Sequence, residues 1–232
     1  MKRRTPADYR ELLRAGRWFG AIPDALQDLL LANAKLRVFA KDKPLVEAFR
    51  ASDGLFGVVD GSVIVRSAGD DERPAIVRMC IDPPSWFGEV TLMATSEHAL
   101  GVEVLAAVET RVVFIAAQDF HALARARPEI WRYIAELAMW HVRLALTALF
   151  EAEQGSSLAR VARRLALMAE GYGDYTSSHR VITLGQEALA MTLGQSRQTL
   201  SALLKQLERD NLIRIGYRKI EILDHDGLRR AT

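Results

Sequence analysis

GQEALAMTLGQSRQTLSALLKQLERDNLI, residues 185–213, holds two helical patterns joined by a glycine. The first runs from about Gln186 to Thr192, with Leu189 apolar and small Ala190 where a crossing helix can approach closely. Gly194 supplies the backbone freedom of a tight turn. Ser196 is a suitable N-cap for the second pattern, whose Leu200, Leu203, Leu204 and Leu207 make an i, i+3, i+4, i+7 stripe. With that stripe buried, Arg197, Gln198, Ser201, Ala202 and Lys205 face outward, as residues of a recognition helix do in a major groove. Arginine suits guanine O6 and N7, and glutamine suits adenine N6 and N7. A plain helical hairpin with a solvated face is the alternative. The small residue, glycine, cap and stripe falling in phase favour a helix-turn-helix, with Gln186 and Ser196 added to the candidate DNA contacts.

Downstream, NLIRIGYRKIEIL (211–223) alternates like a hairpin turning near Gly216 and Tyr217. Such a wing brings Arg214, Arg218 and Lys219 toward phosphates, which add affinity and salt dependence but little sequence choice. Upstream, LARVARRLALMAE (158–170) is amphipathic through Leu158, Val161, Ala162, Leu165 and Met168; GYGDYTSSHR reads as a loop and VITL as a short strand. Charge agrees: residues 156–232 carry 12 Lys+Arg against 8 Asp+Glu, although the whole chain is only +2.

Before this lies one long helical pattern, from Pro128 to about residue 154. Glu129, Arg132, Glu136, Arg143, Thr147 and Glu151 form a narrow polar stripe, and apolar residues cover the rest. So wide an apolar arc needs two burial partners. One is the chain's own preceding domain. The other is a second copy of the same helix, expected to meet it along Ile130, Ile134, Leu137, His141, Leu144 and Ala148, spaced 4-3-4-3-4. A C2 homodimer follows from that expectation. QGSS (154–157) reads as a joint.

Residues 36–116 are strand-like. VVDGSVIV (58–65) sets Asp60-Gly61 between apolar alternations and suits a two-residue hairpin turn; AIVRMCI (75–81) and VEVLAAVETRVVFI (102–115) also alternate. Short strands without an intervening long helix predict an antiparallel β-roll or jelly roll. DYRELLRAGRWFGAIPDALQDLLLAN, before it, reads as two short helices broken at Pro23. The class is therefore α+β: a β-roll domain over 1–127, a long dimerisation helix and hinge over 128–155, and a winged helix-turn-helix over 156–232.

Composition excludes several classes. Half of the 232 residues are hydrophobic and 26% charged, which is ordinary for a globular protein. No secretory h-region or apolar run of about 18 residues occurs, so a cytoplasmic protein without a membrane partner is expected. Cys80, the single cysteine, can form neither an internal disulfide nor an iron–sulfur ligand set, and the five histidines show no metal or haem spacing. No GxxxxGK, HExxH or GxSxG is present, so the chain is not read as an enzyme. A ligand sensor or interaction module that does not touch DNA remains the competing reading.

A β-roll, a long helix and a winged helix-turn-helix in this order resemble the Crp/Fnr superfamily of bacterial transcription regulators. The likeness is strongest at SRQTLSALLKQLERDNLI and clear in FGEVTLM and DGSVIV. It implies a dimer whose two recognition helices enter successive major grooves about 34 Å apart on a pseudo-palindromic operator in double-stranded DNA, with RNA polymerase as a further partner. Arg197 matches the family's guanine-reading arginine; Gln198 stands where cyclic-AMP-type members have Glu, and Ala202 where many have a second Arg.

The resemblance also gives WFGEVTLMATSEHALGVEVLAA (86–107) a meaning. In cyclic-nucleotide-binding members a Gly-Glu pair contacts the ribose, and Gly88 and Glu89 match it. The Arg-Ser pair that holds the cyclic phosphate falls on Leu100 and Gly101, and the Thr-Ser pair that receives the purine falls on Ala145 and Leu146. Losing a bidentate arginine removes charge-assisted hydrogen bonds of about 1.5–3 kcal/mol each. Glu89 would face a phosphate uncompensated unless Arg66 or Arg78 reached in. No cofactor is certain from this pattern: conventional cyclic AMP is disfavoured, and a cyclic nucleotide or cyclic dinucleotide in an altered site, or no ligand, is expected.

Overall fold

Two compact units, Met1–His141 and Val142–Thr232, make up the chain in the computed structural model. It describes residues 4–49, 53–67, 77–93, 101–152, 156–169, 181–182, 189–190, 195–217 and 219–231, apart from the side chains at 77, 78, 80, 91 and 148–152. In the first unit β1 (Lys35–Phe39), β8 (Thr110–Ala116), β3 (Gly54–Asp60) and β6 (Trp86–Phe87) lie side by side in one antiparallel sheet. A second sheet has the order β2 (Pro44–Val46), β7 (Val102–Ala106), β4 (Val63–Ser67) and β5 (Val77–Ile81).

Strand β3 reads GLFGVVD, and every residue but Asp60 is buried. Successive side chains point to opposite faces, so an unbroken apolar run marks a strand covered on both sides. Phe56 and Val58, with Phe87, Val112 and Phe114, meet Val63, Ile81 and Val104 of the second sheet. Leu55 and Val59, with Trp86, Val113 and Ile115, enter a second core made with helices. The helices are α1 (Arg10–Arg14), α2 (Arg17–Ala21), α3 (Asp24–Ala32), α5 (Ala117–Ala126) and the start of α6 (Ile130–Ala152); a short α4 (Glu89–Met93) follows β6.

Four expectations change. Asp60-Gly61 does not close a hairpin, because β3 and β4 belong to different sheets; the turn is a corner between them. Gly61 has φ +83°, and a Cβ there would come within 2.5 Å of the Glu109 carbonyl oxygen, so the glycine serves the corner. The N-terminal segment forms a 3₁₀ turn (Pro6–Tyr9) and three short helices, with a second break at Ala15–Gly16. Buried Gln27 holds the α2–α3 connection by donating to the Phe19 and Ile22 carbonyls, at 3.0 and 2.8 Å. VEVLAAVETRVVFI splits into β7 and β8, one in each sheet.

The fourth correction concerns the dimer seam. Helix α6 matches the long helix read from Pro128, but Ile130, Ile134 and Leu137 are fully buried in the chain's own core beside Trp18, Trp86 and Phe120. Two further contacts pin this half of α6: Trp18 Nε1 donates to the Tyr133 carbonyl at 2.6 Å, and the Arg17 guanidinium lies 4.7 Å from the Trp140 ring centre. His141 is hydrogen-bonded within the unit and Leu144 is half-buried; the Ala148 side chain lies outside the described residues. An apolar stripe remains on roughly the opposite side of the helix, at Ala135, Met139, Val142 and Leu146, also spaced 4-3-4. Met139 is 64% exposed and Leu146 47%. Periodicity gave two apolar arcs but did not say which faced the chain's own domain.

In the second unit α7 (Ser157–Ala169) buries Val161, Ala162, Leu165 and Met168 as its pattern predicts. With α8 (Arg197–Arg209) and α9 (His225–Arg230) it accompanies a small antiparallel sheet, ordered β10 (Ile213–Gly216), β11 (Lys219–Ile222), β9 (Val181–Ile182). Asp224 caps α9 by accepting from the Gly227 N–H at 2.8 Å.

Candidate nucleic-acid interface and effector pocket

Helix α8 begins where its cap residue predicts. Ser196 is extended (φ −67°, ψ 150°), and its hydroxyl accepts from the Thr199 N–H at 3.1 Å, satisfying one of the free donors of the first turn. Leu200, Leu204 and Leu207 are fully buried, while Leu203 is half-buried. A backbone hydrogen bond from Gln195 N–H to the Ala190 carbonyl, 2.9 Å, spans the connection before the cap. Leu189 and Ala190, the two described residues of the first helical pattern, are helical and buried. Gln186, Thr192 and Gly194 lie outside the described residues.

The opposite face of α8 is open. Arg197, Gln198, Ala202 and Lys205 are exposed and Ser201 half-buried, and the five line one open concavity. The sequence had separated these residues from the leucine stripe, and the structure brings them together. Ser196 is engaged as the cap, so its hydroxyl is held at the helix start.

The wing is a hairpin with register Ile213↔Ile222 through Gly216↔Lys219. Arg214 donates to Glu221 across it at 3.0 Å, which offsets the charge expected to meet a phosphate. Lys219 is exposed, Arg218 lies outside the described residues, and Tyr217 projects at the turn. Glu208 of α8 accepts from the Ile215 N–H at 2.7 Å, a junction that no motif had announced.

In the first unit Gly88 has φ +105°, and its missing Cβ would lie 2.3 Å from the Gly54 carbonyl oxygen. Only glycine fits so close a crossing of β3. The crossing sets Glu89 at the head of α4, 3% exposed, with Oε1 2.7 Å from His141 Nδ1 on α6. The expected partner of Glu89 was a ligand, with Arg66 or Arg78 as compensation. Arg66 instead donates to Glu103 at 2.6 Å, its register partner on β7, and the Arg78 side chain lies outside the described residues. His141 is 52 residues away in sequence, and no spacing rule connects it to Glu89.

Gly101 lies against the Phe49 ring, where an added Cβ would meet ring carbons at 3.0 Å. Leu100 is outside the described residues, and Ala145 and Leu146 are exposed on α6. Among the described residues no group of three His, Cys, Asp or Glu could hold a metal ion, and no helix is long and apolar enough to cross a membrane.

Residues 36–127 match the model of the cyclic nucleotide-binding domain, and residues 159–231 that of the Crp-like helix-turn-helix domain. The chain belongs to the Crp/Fnr superfamily. It is a DNA-binding transcription regulator of the Crp/Fnr type, a family of regulators and not of enzymes. This Crp/Fnr regulator is 28% identical over 200 residues to the HTH-type transcriptional regulator Cmr of Mycobacterium tuberculosis, covering 86% of this chain and 77% of that one. It is 26% identical over 206 residues to the Cyclic AMP receptor protein of Thermus thermophilus, covering 88% and 90%. FixK2 from Bradyrhizobium japonicum shares its fold, with a TM-score of 0.68 at 18% identity over 84% of this chain and 95% of that structure.

Proposed function

We propose that this regulator binds a pseudo-palindromic operator as a homodimer, with Arg197 and Gln198 reading bases, Ser201 and Lys205 supporting them, and Lys219 and Arg218 meeting phosphates. Ser196, at the head of α8, and Gln186 complete the proposed contacts. The observation that carries this reading is a helix capped by Ser196 and buried through Leu200, Leu204 and Leu207, whose outward face displays Arg197 and Gln198. A sensor that never meets DNA has no use for that display.

The working division is an effector β-roll over 1–127, helix and hinge over 128–155, and the DNA-binding domain over 156–232. Dimerisation is assigned to the exposed stripe Ala135, Met139, Val142 and Leu146. The chain acts in the cytoplasm, where operator and RNA polymerase are reached.

Conventional cyclic AMP control is not proposed, although several relatives are named for cyclic AMP. Leu100 and Gly101 offer no phosphate ligand, Arg66 is committed to Glu103, and Glu89 is already bonded to His141. Any effector reaching Glu89, a cyclic nucleotide or dinucleotide bound differently included, must compete with that imidazole. Gel shift of the full chain on genomic fragments tests the DNA reading: a specific, salt-sensitive shift supports it, and no specific shift at any salt removes it. Calorimetric titration with cyclic AMP tests the effector reading, which a site of micromolar affinity would overturn.

A further inference from the structure

Arg197, Ser201, Lys205 and Glu208 follow one another along α8 at spacings of 4, 4 and 3, so they share one helix face. Glu208 ends the recognition face, and its carboxylate takes the Ile215 N–H of the wing at 2.7 Å. The hairpin is thereby tied to the same side of α8 that displays the base-reading candidates. Tyr217 follows Ile215 by two residues, about 7 Å along an extended chain. It stands at the hairpin turn and is 90% exposed. Beside it, the Lys219 stem lies across Gly216, where a Cβ would come within 2.8 Å of Lys219 Cγ.

We infer that Tyr217 is a specificity-determining residue that reaches the minor groove flanking each half-site and prefers A·T pairs there. A helix seated in a major groove is bordered by sugar–phosphate ridges, with the narrower minor groove beyond. A wing held at the end of the helix face stands over that border. Arg214 is paired with Glu221, and Tyr217, an aromatic with a hydroxyl, is exposed at the turn. The minor-groove edge of an A·T pair offers only acceptors, adenine N3 and thymine O2, to which a phenol O–H donates. A G·C pair adds the guanine amino group, which projects from the floor of the groove and keeps the ring from reaching the acceptors beneath it. The proposal rests on the DNA-binding reading above.

The test uses the full chain and an operator selected from random DNA, with the flanking pair made A·T, G·C or I·C. Inosine removes the minor-groove amino group while keeping the major-groove pattern of G·C. The unaltered protein is expected to bind A·T and I·C flanks alike and the G·C flank about fivefold more weakly. Tyr217→Ala should bind all three alike, and Tyr217→Phe, keeping the ring without its hydroxyl, should retain only part of the discrimination. Equal binding of G·C and I·C flanks by the unaltered protein overturns the proposal, as does full discrimination by Tyr217→Ala. Absence of any selected operator removes the DNA-binding reading itself, and this proposal with it.

Discussion

The Glu89 carboxylate, almost wholly buried at the head of α4, lies 2.7 Å from Nδ1 of His141 on α6, the last residue of the first compact unit. The pair joins the β-roll's Gly-Glu turn to the long helix by side chains alone. Breaking a buried hydrogen bond leaves its remaining partner desolvated, at a cost of about 1–3 kcal/mol. His141→Phe should destabilise the first unit by about that much, and Glu89→Gln by less, because an amide still reaches the imidazole. All four tryptophans, at 18, 86, 131 and 140, lie in this unit, so their fluorescence in urea reports on it selectively. The double variant should lose less than the sum of the two singles; strict additivity would show that the pair is not coupled.

Helix α6 has two apolar sides, one buried in the core and one exposed. Ile134→Ala, inside the core, should cost about 2–5 kcal/mol of first-unit stability. Met139→Glu and Leu146→Glu, on the exposed stripe, should leave the melting of that unit nearly unchanged but shift the protein toward monomer in sedimentation. Unaltered association by the double glutamate variant would place the dimer contact elsewhere.

Ser196 holds the start of the recognition helix. Ser196→Ala is expected to remove about 0.5–2 kcal/mol from the second unit, and Ser196→Asp to restore most of it. Hydrogen exchange at the amides of residues 197–200 reads this locally. Faster exchange in the alanine variant is predicted, and identical exchange would mean that the cap contributes nothing.

The wing's cations should divide into two kinds. Lys219→Ala should weaken binding on all operators alike and reduce the slope of log affinity against log salt by about 1. Arg214→Ala should change that slope less, since its charge is already set against Glu221. Equal slopes for the two variants would show that the ion pair opens on DNA.

Much of the fold was readable from residues. The leucine stripe at 200, 204 and 207, the Ser196 cap, α6 and the alternating strands stand where local pattern placed them, because each is set by periodicity or capping within a few residues. Periodicity did not say which sheet a strand joins, so Asp60-Gly61 looked like a hairpin turn but is a corner. Nor did it say which apolar side of α6 the chain's own core would take. In the candidate sites, the outward face of α8 was legible, but Glu89–His141, Arg66–Glu103 and Glu208–Ile215 were not. The first two join residues distant in sequence, and the third depends on how the wing folds back on its helix.

The central claim is that α8 reads DNA bases through Arg197. A gel shift of the full chain and Arg197→Ala on a selected operator, with non-specific competitor DNA over a range of salt, tests it most directly. Loss of one bidentate guanine contact is worth about 1–3 kcal/mol, so Arg197→Ala should weaken specific binding at least fivefold per half-site and leave non-specific binding nearly intact. Unchanged specific affinity in Arg197→Ala would contradict it.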